Sequence, residues 1–275
     1  MVASRVPPPR EKRWEEEAAY FDAWAKTVSV TPIAPVTLAR YGSDHLRRRF
    51  SKEFRLQLLG DLRGRRVLDV GCGDGANASL FAKLGARVVG VDISPVAIEL
   101  ARERARVNGV ADSTDFICSP IETADFEAGT FDVVWGDGVL HHIVDDLDAV
   151  MARVASWARP QALVVFAEPT NLFQPLRTLR LMLPIPPDGT PGERPLAPAD
   201  LARIEPYFDP MKVRHFGLLG RLDRVVLTHW NYEKSAAWRR AVAGAFALAD
   251  EWALSLPGVQ ALAATAVLYG RPAKR

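Results

Sequence analysis

The segment VLDVGCGDG at residues 67–75 constrains the fold more than any other stretch of the 275-residue chain. A short apolar run with strand character leads straight into Gly71, Gly73 and Gly75, and ANASLFAKLG then follows with helical spacing and stops at Gly85. A strand that turns into a helix through glycines reads as the start of a βαβ unit. Glycine permits positive φ and lets a ligand approach the backbone. The free N–H groups of the helix start point at the same place.

The alternation continues downstream. ARVVGVD predicts a second strand, and SPVAIELARERARVNG predicts a helix capped by Ser94, with Pro95 at its first position and a stop near Gly109. TDFICS, FDVVWG and ALVVFAE predict three more strands, with DDLDAVMARVASWA as a helix between the last two. Continuous apolar strands separated by helices indicate a parallel sheet covered on both faces. MKVRHFG (211–217) and AATAVLYG (263–270) add two strands, with a helical insertion at about 219–256 between them.

Flanking segments set the domain plan. Residues 1–10, with Pro7, Pro8 and Pro9, read as a disordered tail. Residues 11–26 read as an amphipathic helix with Trp14, Tyr20, Phe21 and Trp24 on an aromatic side and Glu15, Glu16 and Glu17 on a wet one. A second helix is expected at about 44–59, completing a helical cap over 11–60. The α/β domain then takes 61–275, with insertions at about 169–198 and 219–256. The first insertion holds eight prolines, too many for a simple connection, and reads as a lid or binding wall.

A formal net charge of +2 lacks the basic excess of broad nucleic-acid binding. Cys72 and Cys118 fit neither a disulfide framework nor metal-ligand spacing, so reduced thiols and no metal are expected. The first residues have no apolar signal core, and no uninterrupted apolar run reaches bilayer length. A cytoplasmic location follows as the expectation.

The string GCGDGA also meets the loose dinucleotide fingerprint. Charge separates the two ligands. Asp69 and Asp74 bracket the turn, and each would oppose a diphosphate by on the order of a kcal/mol. A ligand carrying an ammonium and a sulfonium is favoured instead. Asp92, about 20 residues on, suits a ribose diol in either ligand.

VLDVGCGDG resembles the first motif of class I S-adenosylmethionine (SAM)-dependent methyltransferases, and VVGVDIS resembles their second-strand acid motif. FDVVWGDGVLHHI and QALVVFAEP are similar to their fourth- and fifth-strand segments, so the likeness covers about residues 60–170. The resemblance implies a Rossmann-like, doubly wound sheet of seven strands, mostly parallel with the last antiparallel. It implies SAM as cofactor and S-adenosylhomocysteine as product. By the same likeness Asp69 neighbours the methionine amino group, and Gly71, Cys72 and Gly73 line the methionine portion. Asp92 holds the ribose, Ile93 lies against adenine, and Gly136 and Asp137 border the donor methyl. Many relatives carry an acid at the end of the third strand, where Ser119, Pro120 and Ile121 stand here. Adenine recognition then falls to the Ser119 hydroxyl or to backbone groups. Tyr41 either covers the cofactor, as aromatics from this segment do in the family, or packs as a surface tyrosine.

Methyl transfer is an in-line displacement that gains most from alignment in a dry site, and a hydroxyl acceptor also gains from a base. His141 and His142 sit just past the fourth strand, and either one serves as that base or both have structural duties. Glu168 ends the fifth strand, as an acceptor-binding acid or as a buried acid paired with an arginine. Phe173, with Leu176, Leu179, Leu181, Met182 and Trp230, lines an acceptor pocket or forms the insertions' own core. GDGVLHH lacks the Asn/Asp-Pro-Pro-aromatic tetrad of nucleic-acid amino methylation. A small-molecule acceptor is therefore expected, at oxygen first and nitrogen next: a specialised metabolite, a sugar or a lipid. Two other classes stay open. One is a SAM-binding protein that moves no methyl group. The other is an NAD-dependent oxidoreductase.

Overall fold

The computed structural model describes residues 9–43, 50–175, 178, 190, 193–228, 232 and 234–273. Among the described residues three helices precede the sheet: α1 (Arg10–Ala25), α2 (Pro35–Tyr41) and α3 (Ser51–Leu59). Alternation follows with β1 (Arg66–Val70), α4 (Ala76–Lys83), β2 (Arg87–Asp92), α5 (Pro95–Val107), β3 (Thr114–Cys118), β4 (Phe131–Asp137), α6 (Leu147–Trp157) and β5 (Ala158–Pro169). The chain ends with α7 (Pro198–Ile204), β6 (Lys212–Phe216), α8 (Asp223–Val226), α9 (Ala237–Ala253) and β7 (Thr265–Gly270).

The seven strands form one sheet in the order β3-β2-β1-β4-β5-β7-β6. β1 to β5 run parallel, and β7 lies antiparallel to both β5 and β6. Val67 and Leu68 show why the central strands read as unbroken apolar runs. Both are fully buried, yet successive strand residues face opposite ways, so each feeds a different core. One core gathers Leu68, Val134, Met151, Trp157 and Phe166; the other gathers Val67, Phe81, Ile98, Trp135 and Val165. Cutting Trp135 or Phe81 to alanine would cost about 3–5 kcal/mol.

The strand order reverses between β1 and β4, and ligands of open α/β sheets bind in the crevice at such a point. Val70 is in register with Gly136, so the glycine turn after β1 and the loop after β4 open side by side. α1 is docked over this crevice. Arg13 pairs with Glu122 and Asp146, and Asp22 accepts from Ser94 Oγ at 2.5 Å and from the Val96 N–H at 3.2 Å. Ser94 caps α5 as its sequence position predicts, accepting the Ala97 N–H at 2.9 Å.

Some expectations change. α2, started by Pro35 in its first turn, was not foreseen. Of the helix expected at 44–59 the described part is α3; residues 44–49 lie outside the described residues, as do 1–8 of the expected tail. Leu176, Leu179, Leu181, Met182 and Trp230 also lie outside them. The far end of the proline-rich insertion is tied back to the sheet, with the Leu196 N–H donating to the Pro169 carbonyl at 2.9 Å. Among the described residues no helix is long and apolar enough to cross a membrane.

Candidate cofactor and acceptor site

A cavity of about 350 Å³ lies at the β1/β4 crevice. Its floor is the strand-end wall: Gly71 and Gly73 after β1, Asp92 at the end of β2 with Ile93 after it, Ser119, Pro120 and Ile121 after β3, and Asp137 at the end of β4. Gly71 adopts φ +64°, and a Cβ there would fall 2.8 Å from Val139 Cγ2, so a side chain is barred by both backbone and space. The Gly73 N–H donates to Asp92 Oδ2 at 2.8 Å and the Ser94 N–H to Oδ1 at 2.9 Å. These bonds fix the carboxylate at the cavity edge. Burial raises the Asp92 pKa, and the backbone bonds work against that rise.

Among the described residues that line the cavity, Glu17, Asp92, Glu122 and Asp137 are acids, and none is lysine or arginine. A dinucleotide diphosphate would meet only carboxylates among the charged side chains here, which counts against the oxidoreductase reading. The reason differs from the one drawn from sequence. Asp74 faces away, pairing with Arg104 at 2.5 Å and accepting the Ala76 N–H at 3.2 Å. Asp69 lies beneath the turn, 1% exposed, with Oδ2 buried and unpartnered. Burial holds its pKa well above the usual carboxylate range, with Asp137 adding to the effect and Lys52 opposing it. An orphaned carboxyl oxygen under a glycine turn, beside a cation-free cavity, fits a ligand that brings its own positive charge. Nearby, Arg55 pairs with Asp137 at 3.0 Å.

Several sequence-predicted residues stand elsewhere. Cys72 turns its Sγ down toward Gly90, where a Cβ would meet it at 2.8 Å, so only its backbone borders the turn. Gly136 is a packing glycine, since a Cβ there would fall 2.2 Å from Phe166; Asp137, Gly138 and Val139 reach the cavity in its place. Tyr41 lines a separate groove with Leu56, Gln57 and Leu84, under the Lys52 ammonium at 5.1 Å. Phe173 is 42% exposed and does not line the cavity. Glu168 is fully buried and serves the backbone. It accepts the Val139 and Leu140 N–H groups at 3.0 Å each and meets His141 Nδ1 at 2.8 Å.

The two histidines separate. His141 is buried between carboxylates, with Nε2 also 3.1 Å from Glu193 Oε1. Burial pushes its pKa down, but the bonds to Glu168 and Glu193 outweigh burial and raise it to about 9. His142 lines the cavity edge-on to Phe21 at 5.3 Å, its buried Nδ1 3.8 Å from Glu193 Oε2 and without a hydrogen bond. Burial and the neighbouring His141 cation lower its pKa to about 4. His141, His142 and Glu193 offer atoms within 4.8 Å of one another. The His141 ring bridges the two carboxylates, 2.8 Å from Glu168 and 3.1 Å from Glu193.

The aromatic side expected of the N-terminal helix forms the opposite wall, together with an acid that the sequence reading placed in water. Glu17, Tyr20, Phe21 and Trp24 of α1 line the cavity, with Glu122, Val139 and Ile143. Glu17 was expected on the wet side, yet it is 5% exposed and turned inward. Its signal was present: Arg13, Glu17, Phe21 and Trp24 recur at helical spacing on one face.

Comparison with known proteins agrees with this geometry. Residues 68–166 match the family model described as a methyltransferase domain. A ubiquinone biosynthesis O-methyltransferase of Neisseria meningitidis serogroup C is 36% identical over 151 residues, covering 52% of this chain and 63% of that protein. One of Vibrio parahaemolyticus is 30% identical over 226 residues, covering 79% of this chain and 87% of that protein. Among solved structures, the [4+2]-cyclase SpnF shares the fold at a TM-score of 0.55 and 19% identity, over 98% of each chain.

Proposed function

The chain belongs to the class I SAM-dependent methyltransferase family, and from that premise we propose that it transfers a methyl group to an oxygen atom of a small-molecule acceptor. The observation that carries the reading is the cation-free cavity at the β1/β4 crevice, floored by the Gly71–Gly73 turn and edged by Asp92 and Asp137. Oxygen as the receiving atom is supported by the relatives named as O-methyltransferases.

The bound cofactor would supply an electrophilic methyl group on a sulfonium. The protein's own residues do the rest. Asp92 offers its remaining lone pairs to the ribose hydroxyls, and Ile93, Pro120 and Ile121 flank the adenine. Ser119 Oγ is engaged locally with the Pro120 carbonyl at 3.0 Å and with Thr123, so adenine selection rests on shape and backbone groups. Asp137 supplies negative charge at the methionine end, and the Asp69 carboxyl beneath the turn offers an unpartnered oxygen. α1 closes the crevice with Phe21 and Trp24, excluding water and holding the acceptor in line. His142 offers an unbonded nitrogen to the acceptor, and His141, fixed between two glutamates, holds its neighbour in place.

The test is incubation with methyl-labelled SAM and a panel of hydroxylated small molecules. Label in an ether product, matched by S-adenosylhomocysteine, supports the proposal. Tight S-adenosylhomocysteine binding with label transferred to no hydroxyl would refute it.

A further inference from the structure

The cofactor leaves one buried group on the α1 wall without a task. Glu17 lines the cavity, and its Oε1 is buried with no hydrogen-bond partner. An unsatisfied buried polar atom costs about 1–3 kcal/mol and asks for an explanation. Arg13, one turn earlier on the same face, turns its Nη2 to Glu122 and Asp146. Glu193 and His141 are committed to each other. The free carboxyl oxygen is therefore available to a molecule inside the cavity.

We propose that Glu17 is a catalytic residue that takes the hydroxyl proton of a phenol-like acceptor. The inference rests on the methyl-transfer reading above. The wall around Glu17 is aromatic, from Tyr20, Phe21 and Trp24, and suits a flat apolar acceptor with one polar end. At that polar end stand Glu17 Oε1, without a hydrogen-bond partner, and His142 Nδ1, also without one and 3.8 Å from Glu193 Oε2.

The two are unequal as bases. Burial, aided by Glu122 and Glu193 and opposed by Arg13 and His141, raises Glu17 to about 7. His142 is held near 4 by burial and the His141 cation, so its role is to orient a neutral hydroxyl. A base works best with a pKa near the operating pH. In the step, the acceptor oxygen bonds the methyl carbon as the carbon–sulfur bond breaks, leaving its electron pair on sulfur. The hydroxyl proton passes to the Glu17 carboxylate. The products are a methyl ether, neutral S-adenosylhomocysteine and protonated Glu17, which returns its proton to water.

The experiment gives wild type, Glu17→Gln and Glu17→Asp methyl-labelled SAM with phenol, 4-hydroxybenzoate, 3,4-dihydroxybenzoate or aniline. S-adenosylhomocysteine binding is measured on the same samples by calorimetry. Wild type should label at least one phenol, with kcat/KM rising with pH through about 7 and then levelling, because the carboxylate form is the base. Glu17→Gln should bind S-adenosylhomocysteine within about twofold of wild type, lose the pH step and lower kcat by about 100-fold or more. Glu17→Asp should keep the step at a reduced rate. If Glu17→Gln does not bind, Glu17→Asp decides alone: an undiminished rate without a pH step overturns the proposal. Turnover of a phenol by Glu17→Gln near the wild-type rate overturns the role of Glu17 and leaves methyl transfer standing. Labelling of aniline alone, or of nothing while S-adenosylhomocysteine still binds, overturns the phenol acceptor. Failure of wild type to bind S-adenosylhomocysteine overturns the premise instead.

Discussion

The strand-end wall of the cavity and the α1 wall are made in different ways. The first consists of residues just beyond β1, β2, β3 and β4, held by the parallel sheet and presented largely through backbone. The second consists of side chains from a helix docked by Arg13 and Asp22 and from a histidine pair braced by glutamates. A backbone-built wall repeats across a family because the sheet dictates it. A side-chain-built wall changes with single residues. The cofactor half is therefore the general half, and acceptor choice is assigned to α1 and the loop after β4.

The sharpest break comes at the joint between the walls. Glu168 ends β5 and carries the loop that bears His141 and His142. Glu168→Ala would strand three N–H groups and a buried imidazolium, and chemical denaturation should show a loss of about 3–5 kcal/mol. An unchanged midpoint would mean that the loop stands without its brace.

A smaller effect separates the walls by pH. Folding raises Glu17 from 4.5 to about 7, so its contribution is fully present below about 4.5 and lost as pH rises through about 7. Glu17→Gln should match wild type near pH 4 and exceed it in stability by about 1–3 kcal/mol near pH 8. Equal denaturation curves at both pH values would place Glu17 in water. His141, raised from 6.5 to about 9, adds stability that is complete below about 6.5 and fades as pH rises through about 9.

Next comes His142→Ala, which should lower turnover by about tenfold and leave S-adenosylhomocysteine affinity within about twofold, as one lost acceptor hydrogen bond implies. A loss of cofactor affinity instead would move His142 to the other wall. The smallest effect is expected at Phe173, exposed and away from the cavity. Phe173→Ala should shift stability by less than about 0.5 kcal/mol and leave turnover unchanged; a large rise in KM would return it to the acceptor site.

The same contrast explains what the sequence disclosed. The seven strands, the Ser94 cap and the glycine turn after β1 were legible because each is a local pattern of apolar runs, glycines and caps. Asp74 misled because its charge was counted without Arg104, which arrives from α5. Glu168 was placed at the correct strand end, but no local pattern reveals that three N–H groups behind it claim the carboxylate. Glu193 follows a proline-rich path without periodicity, so nothing in its neighbourhood predicts contact with His141. Glu17 was legible by helical spacing and was missed because a run of three glutamates reads as a solvated face.

The most direct measurement is calorimetric titration of S-adenosylhomocysteine and NAD into wild-type protein and into Asp92→Ala. S-adenosylhomocysteine should bind wild type, NAD should not, and loss of the charged hydrogen bonds of Asp92 should weaken binding by about 10–100-fold. Binding of NAD, or an affinity indifferent to Asp92, would contradict the assignment of the strand-end wall.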